Sequence, residues 1–284
     1  LYFLNIKSIL GNTALLDAID LRAAQSAGSP EERESLLRNN LRAFQKSLEG
    51  GFLGRMETLE QLTQVTSNMT AAPVSQILKQ EFFTLAHSEM KKQIEKAPDN
   101  LRARMFTSSL LIHYRLFDEA IIELEKARAV SDKKQDIHFL LVNAYLGQGN
   151  LEKALEVGKF TFELEPGNER AVKIYVALLI RASRAEEAET ILKERNREEF
   201  LTDPDIVNAY TSIGRLDKLL AFREAQVQKD PQNLEAYLSL SATYLDLGER
   251  GKAVAEIERA MELFPEFKER GEFFVREIKA GRNP

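Results

Sequence analysis

Apolar residues recur along this chain at three- and four-residue intervals, the period of a helix with one buried face, and no stretch keeps the two-residue alternation of a strand. From residue 98 the helical pattern comes in pairs. The clearest runs from Leu234 to Pro265: Tyr237, Leu240, Ser241 and Tyr244 share one face, Gly248 makes a turn, and Ala253, Ile257 and Ala260 line a second helix that Pro265 ends. Gln135 to Pro166 follows the same plan with Leu141, Val142, Tyr145 and Ala154 around Gly147-Gln148-Gly149-Asn150. A pair from Leu101 carries Ser108, Leu111, Ala120, Leu124 and Ala127 behind Pro98-Asp99-Asn100. Another from Glu169 carries Val172, Val176, Leu179, Ala188 and Leu192 behind Pro166-Gly167-Asn168. Small residues mark the rhythm. Ala120, Ala154 and Ala188 stand 34 residues apart, Ala86 lies 34 before the first, and Ala253 follows Leu219 by 34. A weaker pair, Phe200 to Pro231 with Val207, Tyr210 and Leu219, arrives early by about three residues, which predicts an irregularity at Thr202-Asp203-Pro204.

Outside these pairs the helices are less regular. Expected helices are Asn12–Gln25, Pro30–Leu48, Arg55–Asn68 and Pro73–Lys96, with Ser29 as a cap, Pro30 in the first turn, Gly50-Gly51 as a stop and Asn68 to Pro73 as a small-residue loop. A last helix, Phe267 to Lys279, is expected to lay Phe273, Phe274 and Ile278 on the preceding pair and leave Lys268, Glu269, Arg270 and Lys279 in water.

Self-similarity at 34 residues resembles the tetratricopeptide repeat (TPR), a helix–turn–helix unit that stacks on its neighbours. The resemblance implies an all-α, right-handed TPR solenoid: irregular helical pairs over 1–97, then an array with a C-terminal capping helix over 98–284. Ala120, Ala154, Ala188 and Ala253 would sit where the two helices of a pair approach most closely. In this family the first helices line an inner groove. Carried onto this sequence, the groove positions hold Arg102, Met105, Ser109, Ile112 and His113, then Asp136, Phe139, Asn143 and Leu146. Arg170, Lys173, Ala177, Ile180 and Arg181 follow, and then Asn208 and Thr211. The resemblance thus implies a cationic groove with Met105 and Phe139 as apolar anchors, and an acidic protein or peptide as partner. The competing reading is a solvated inner face with internal ion pairs. Met105 and Ser109 stand where the family's carboxylate clamp has Lys and Asn, so that clamp is not expected.

Composition narrows the chemistry. With 44% hydrophobic and 29% charged residues the chain forms a core, and a net charge of −5 points away from nucleic acid. It has no cysteine and no tryptophan, so thiol chemistry is excluded and the fourth position of each repeat must take another residue. His87, His113 and His138 lack metal-ligand spacing, no nucleophile elbow or phosphate loop occurs, and no metal or cofactor is expected. Acidic residues such as Glu123, Glu125, Glu186 and Glu187 read as solvated faces of second helices. Asn68-Met69-Thr70 fits a glycosylation acceptor, a short match that arises by chance.

The N-terminal third carries a second likeness. Asn40-Leu41-Arg42-Ala43-Phe44-Gln45-Lys46-Ser47-Leu48, followed by Gly54-Arg55-Met56-Glu57-Thr58-Leu59-Glu60-Gln61-Leu62, resembles the segment after the last membrane span in bacterial O-antigen ligase/polymerase-like proteins with a TPR tail. Tyr2-Phe3-Leu4-Asn5-Ile6-Lys7 resembles their membrane-exit stretch. Ser47 stands where that family has Ala, and Gly50-Gly51 replaces a polar pair. The likeness implies a non-catalytic extracytoplasmic tail of an envelope glycan-assembly protein, attached to a membrane through a preceding segment. A cytosolic assembly adaptor is the alternative location. A glycan-acting enzyme using His113, Asp136 and Arg170 is the alternative activity.

Overall fold

The computed structural model describes residues 2–50, 54–195 and 197–284, and among them every regular element is helical. Leu1 of the leading apolar stretch and Gly51 of the expected glycine stop lie outside the described residues. The chain divides into two compact units, Leu1–Leu164 and Glu165–Pro284. The expected boundary at 97/98 marks only where the repeats become regular. A single hydrophobic cluster runs through it, joining Phe44, Leu59, Phe82 and Met90 to Ala103 and Leu110.

The first unit holds α1 (Tyr2–Ile19), α2 (Arg22–Gln25), α3 (Pro30–Gly50), α4 (Arg55–Met69), α5 (Gln76–Lys96), α6 (Leu101–His113), α7 (Phe117–Val130), α8 (Gln135–Gln148) and α9 (Leu151–Leu164). α1 packs on α3, α4 on α5, α6 on α7 and α8 on α9, while α4, α6 and α8 touch in succession. Two expected boundaries move. The first helix starts earlier and breaks after Ile19, where the Asn40 amide donates to the carbonyls of Asp17, Ala18 and Asp20 at 3.0, 3.1 and 3.0 Å. Those carbonyls have no partner further along a helix, so a side chain from α3 ends α1. α5 starts at Gln76 rather than Pro73 because Ser75 caps it: its hydroxyl accepts from the Leu78 N–H at 3.3 Å, and Glu34 accepts the Ser75 N–H at 2.6 Å. Ser29 caps α3 as expected, accepting from the Glu32 N–H at 3.1 Å.

The second unit holds α10 (Glu169–Arg181), α11 (Ala185–Glu194), a 3-10 turn (Glu198–Thr202), α12 (Pro204–Ser212), α13 (Leu216–Lys229), α14 (Leu234–Asp246), α15 (Arg250–Leu263), a second 3-10 turn (Pro265–Phe267) and α16 (Lys268–Lys279). The predicted irregularity is the first of these turns. It leads into a short α12, with Asp203 accepting from the Asp205 N–H at 3.0 Å and Pro204 opening the helix. α16 packs on α15 through Ile278, and Gly271 lets the backbone pass against the Met261 side chain, where a Cβ would lie 2.4 Å from its Cγ. Lys268, Glu269, Arg270 and Lys279 face water as expected, but Phe273 is turned outward, 45% exposed.

The 34-residue rhythm has a backbone cause. Five hairpin turns place a residue at positive φ: Arg115, Gly149, Ser183, Gly214 and Gly248. In each, the next residue's N–H reaches back five positions to a helix carbonyl: Leu116 to Leu111, Asn150 to Tyr145, Arg184 to Leu179, Arg215 to Tyr210 and Glu249 to Tyr244, at 2.7–3.0 Å. This is the Schellman closure of a helix C-terminus. Five residues past each turn stands the residue at the internal contact, Ala120, Ala154, Ala188, Leu219 and Ala253, all fully buried. Turn and contact therefore move together. The step between Ser183 and Gly214 shrinks because α12 spans only 9 residues against 13 in α10 and α14. Asn100, Asn168 and Asn233 each accept from backbone N–H groups at the start of α6, α10 and α14, so a Pro-x-Asn segment ends one pair and caps the next.

Candidate binding surfaces

In the first unit the groove residues diverge. Arg102 on α6 is exposed but committed: its guanidinium lies against both carboxylate oxygens of Glu60 on α4. Burial pushes the Glu60 carboxyl above its ordinary range while Arg102 pulls against it. Met105 and Ser109 are half-buried, His113 and Asn143 exposed. His113 Nδ1 sits 2.8 Å from the Ser109 carbonyl one turn back. Phe139, expected as an apolar anchor, is only 4% exposed and belongs to the core, because its position on α8 turns towards neighbouring helices.

In the second unit α10 presents Arg170, Lys173 and Arg181. With Ala177 they fall at intervals of three and four residues, on one stripe of the helix. α12 packs beside α10 and exposes Asn208. Lys173 is shared: its Nζ lies 3.2 Å from Asp203 and 4.6 Å from the Phe200 ring centroid. Reversing its charge would set two carboxylates together at the start of α12, so Lys173 is a poor position at which to test binding.

The sequence reading overlooked a partly buried polar network. Arg104, at the fourth position of its repeat, is 7% exposed, donates to the Pro98 carbonyl at 2.8 Å and pairs with Glu123, which also meets Lys126 at 2.7 Å. Glu123 is thus not a solvated residue as expected. The tryptophan-free fourth position is the signal that could have found it, since an arginine buried there needs an acid on the partner helix. His138 fills the same position in the next repeat, fully buried, with Nε2 2.6 Å from the Asp132 carbonyl and its ring 5.0 Å from that of Phe160. His87 stacks on Phe83 at 5.3 Å. Among the described residues no group of three His, Asp or Glu side chains is placed to hold a metal ion. Asp136, considered with His113 and Arg170 for catalysis, faces Lys134 at 3.6 Å, while His113 is held by its own helix.

Several known proteins share features with this arrangement. A tetratricopeptide repeat model matches residues 234–267, which are α14, α15 and the 3-10 turn after them. Among solved structures, a tetratricopeptide repeat protein from Parabacteroides merdae ATCC 43184 is similar at 14% identity over 93% of this chain and 98% of that one, with a TM-score of 0.49. MamA from Desulfovibrio magneticus RS-1 matches at 20% identity over 68% and 99%, with a TM-score of 0.45. YrrB, a TPR protein with an unusual peptide-binding site, matches at 18% identity over 62% and 92%, with a TM-score of 0.41. No curated protein sequence matches the chain. The all-α chain therefore carries a tetratricopeptide repeat at residues 234–267, and the hairpins before it share its turn and its buried contact.

Proposed function

We propose that the chain is a non-catalytic scaffold that holds an acidic segment of a partner protein. The observation that carries this is the cationic stripe of Arg170, Lys173 and Arg181 on α10, beside the exposed Asn208 of α12. Guanidinium groups on a rigid helix bind carboxylates through charge-assisted hydrogen bonds, and an asparagine amide both donates to and accepts from a peptide backbone. The test is binding of acidic peptides to the full chain by fluorescence anisotropy, with Arg170→Glu and Arg181→Glu combined. A loss of about tenfold or more is expected at low salt, shrinking as salt is added. Affinity that ignores both the double reversal and the salt would refute the reading.

The finer placement rests on the likeness at Asn40–Leu62: an extracytoplasmic tail of a bacterial envelope glycan-assembly protein. In the structure the residues of that likeness do structural work. Asn40 ends α1, and Leu41, Phe44, Leu48, Leu59 and Leu62 are buried. Among the described residues no helix is long and apolar enough to cross a membrane. The gene upstream of residue 1 is the test. Apolar spans of about 20 residues there support this location, and a start without them refutes it.

A further inference from the structure

The first unit has an open cleft of about 880 Å³ between α3 and α5, both second helices of their pairs, and none of the expected groove residues line it. Arg42 and Gln45 stand on the α3 side, and Gln76, Gln80 and Thr84 on the α5 side. Leu41, Ile77 and Leu85 supply its apolar part, and Ile77 is 67% exposed. Arg38, also in the cleft, is paired with Glu81. Arg42 reaches only the neutral Asn39 amide, at 3.2 Å, so its charge is not neutralised there. The cleft thus holds two arginines against one glutamate within a chain of net charge −5.

We propose that this cleft binds an extended segment of a partner protein that carries an aliphatic residue beside an acidic one. The dimensions select an extended chain. α5 rises about 18 Å from Gln76 to Ser88 at 1.5 Å per residue, so 880 Å³ spread along it is a channel of about 50 Å² in section. A β-strand, about 4.8 Å by 10 Å, occupies about 48 Å². A helix of about 10–12 Å diameter needs about 80–110 Å² and is too wide to enter whole. At about 3.3 Å per residue, roughly five residues lie in the channel.

The lining matches that occupant. Carboxamides such as Gln45, Gln76 and Gln80 both donate and accept, which is what the N–H and C=O groups of an extended backbone require whatever its sequence. The strip of Leu41, Ile77 and Leu85 accepts one aliphatic side chain, and Arg42 accepts the carboxylate beside it. The site involves different helices, in the other unit, from the α10 stripe, and stands or falls separately from it.

The experiment uses the full chain and an array of nonapeptides. Each has one leucine and one or two Asp or Glu residues at varied spacing, and matched peptides carry Lys in place of the acids. Selective binding of acidic members is expected. Ile77→Glu and Arg42→Glu should each weaken it by about tenfold, while Arg170→Glu combined with Arg181→Glu leaves that binding unchanged. Circular dichroism checks the fold of each variant; Ile77 and Arg42 are exposed, so neither change opens the core. As a readout that needs no mutation, a photo-reactive leucine in the peptide should cross-link to α3 or α5. Cross-links confined to other helices overturn the proposal, as does equal binding of the Lys peptides, undiminished affinity in both cleft variants, or no binding up to about 1 mM.

Discussion

The turn residues give the cleanest quantitative test, because at these positions conformation can be varied almost alone. Arg115 and Ser183 occupy the left-handed region with φ of 61° and 59°, where the equivalent turns have Gly149, Gly214 and Gly248. An L-residue there costs about 1–2 kcal/mol from the close approach of Cβ to the carbonyl. Glycine avoids that cost but loses more chain entropy on folding, about 0.5–1 kcal/mol. The difference predicts that Arg115→Gly and Ser183→Gly each stabilise by about 0.5–1 kcal/mol. By the same difference, Gly149→Ala and Gly214→Ala each destabilise by about as much. Packing does not confound the second pair, since a Cβ at Gly149 or Gly214 meets nothing within 4 Å. Both Arg115 and Ser183 are exposed, so little contact is lost with their side chains. Urea unfolding followed by far-ultraviolet circular dichroism reads the result. With a denaturant slope of about 1–3 kcal/mol/M, the midpoints should move by about 0.2–1 M, up for the glycine variants and down for the alanine variants. A midpoint that falls in both glycine variants, or rises in both alanine variants, would refute the account of the repeat turn.

Three further outcomes follow from the packing. Ala154→Leu should overpack the fully buried contact between α8 and α9 and cost about 1–3 kcal/mol in urea unfolding; an unchanged midpoint would show that the contact yields. Asn40→Ala leaves three carbonyls at the end of α1 without their donor, and should cost about 1–3 kcal/mol and raise hydrogen exchange in α1 before α6 or α8; uniform exchange would count against the cap. Glu60 binds its proton more tightly in the folded chain, because burial raises its pKa above the ordinary value of 4.5, so its contribution to stability falls as pH rises through that value towards the higher folded one. Glu60→Gln should remove that fall, so the variant gains on the native chain between pH 4 and pH 7; a stability difference that is flat or reversed across that range would contradict the assignment.

What the sequence determined by itself is the local periodic part of the structure. The period, the small residue at each internal contact and the shift before Leu219 are all visible in the residue order, because a Schellman turn and a helix cap join groups within about five positions of one another. The same holds for Ser29 and for the Pro-x-Asn starts. Tertiary structure decided what depends on partners far along the chain. Glu60 meets Arg102 across 42 positions, Arg104 meets Glu123 across 19, and Asn40 reaches back 20 or more to end α1. Repeat position alone put Phe139 in a groove and Phe273 on a core, and the packing reversed both. Only the folded chain showed that the core continues across residue 97 and that α3 and α5 leave a cleft between them. A helix's period says which residues share a face. Which neighbour covers that face, and how closely, depends on the shape and volume of every side chain between the two helices.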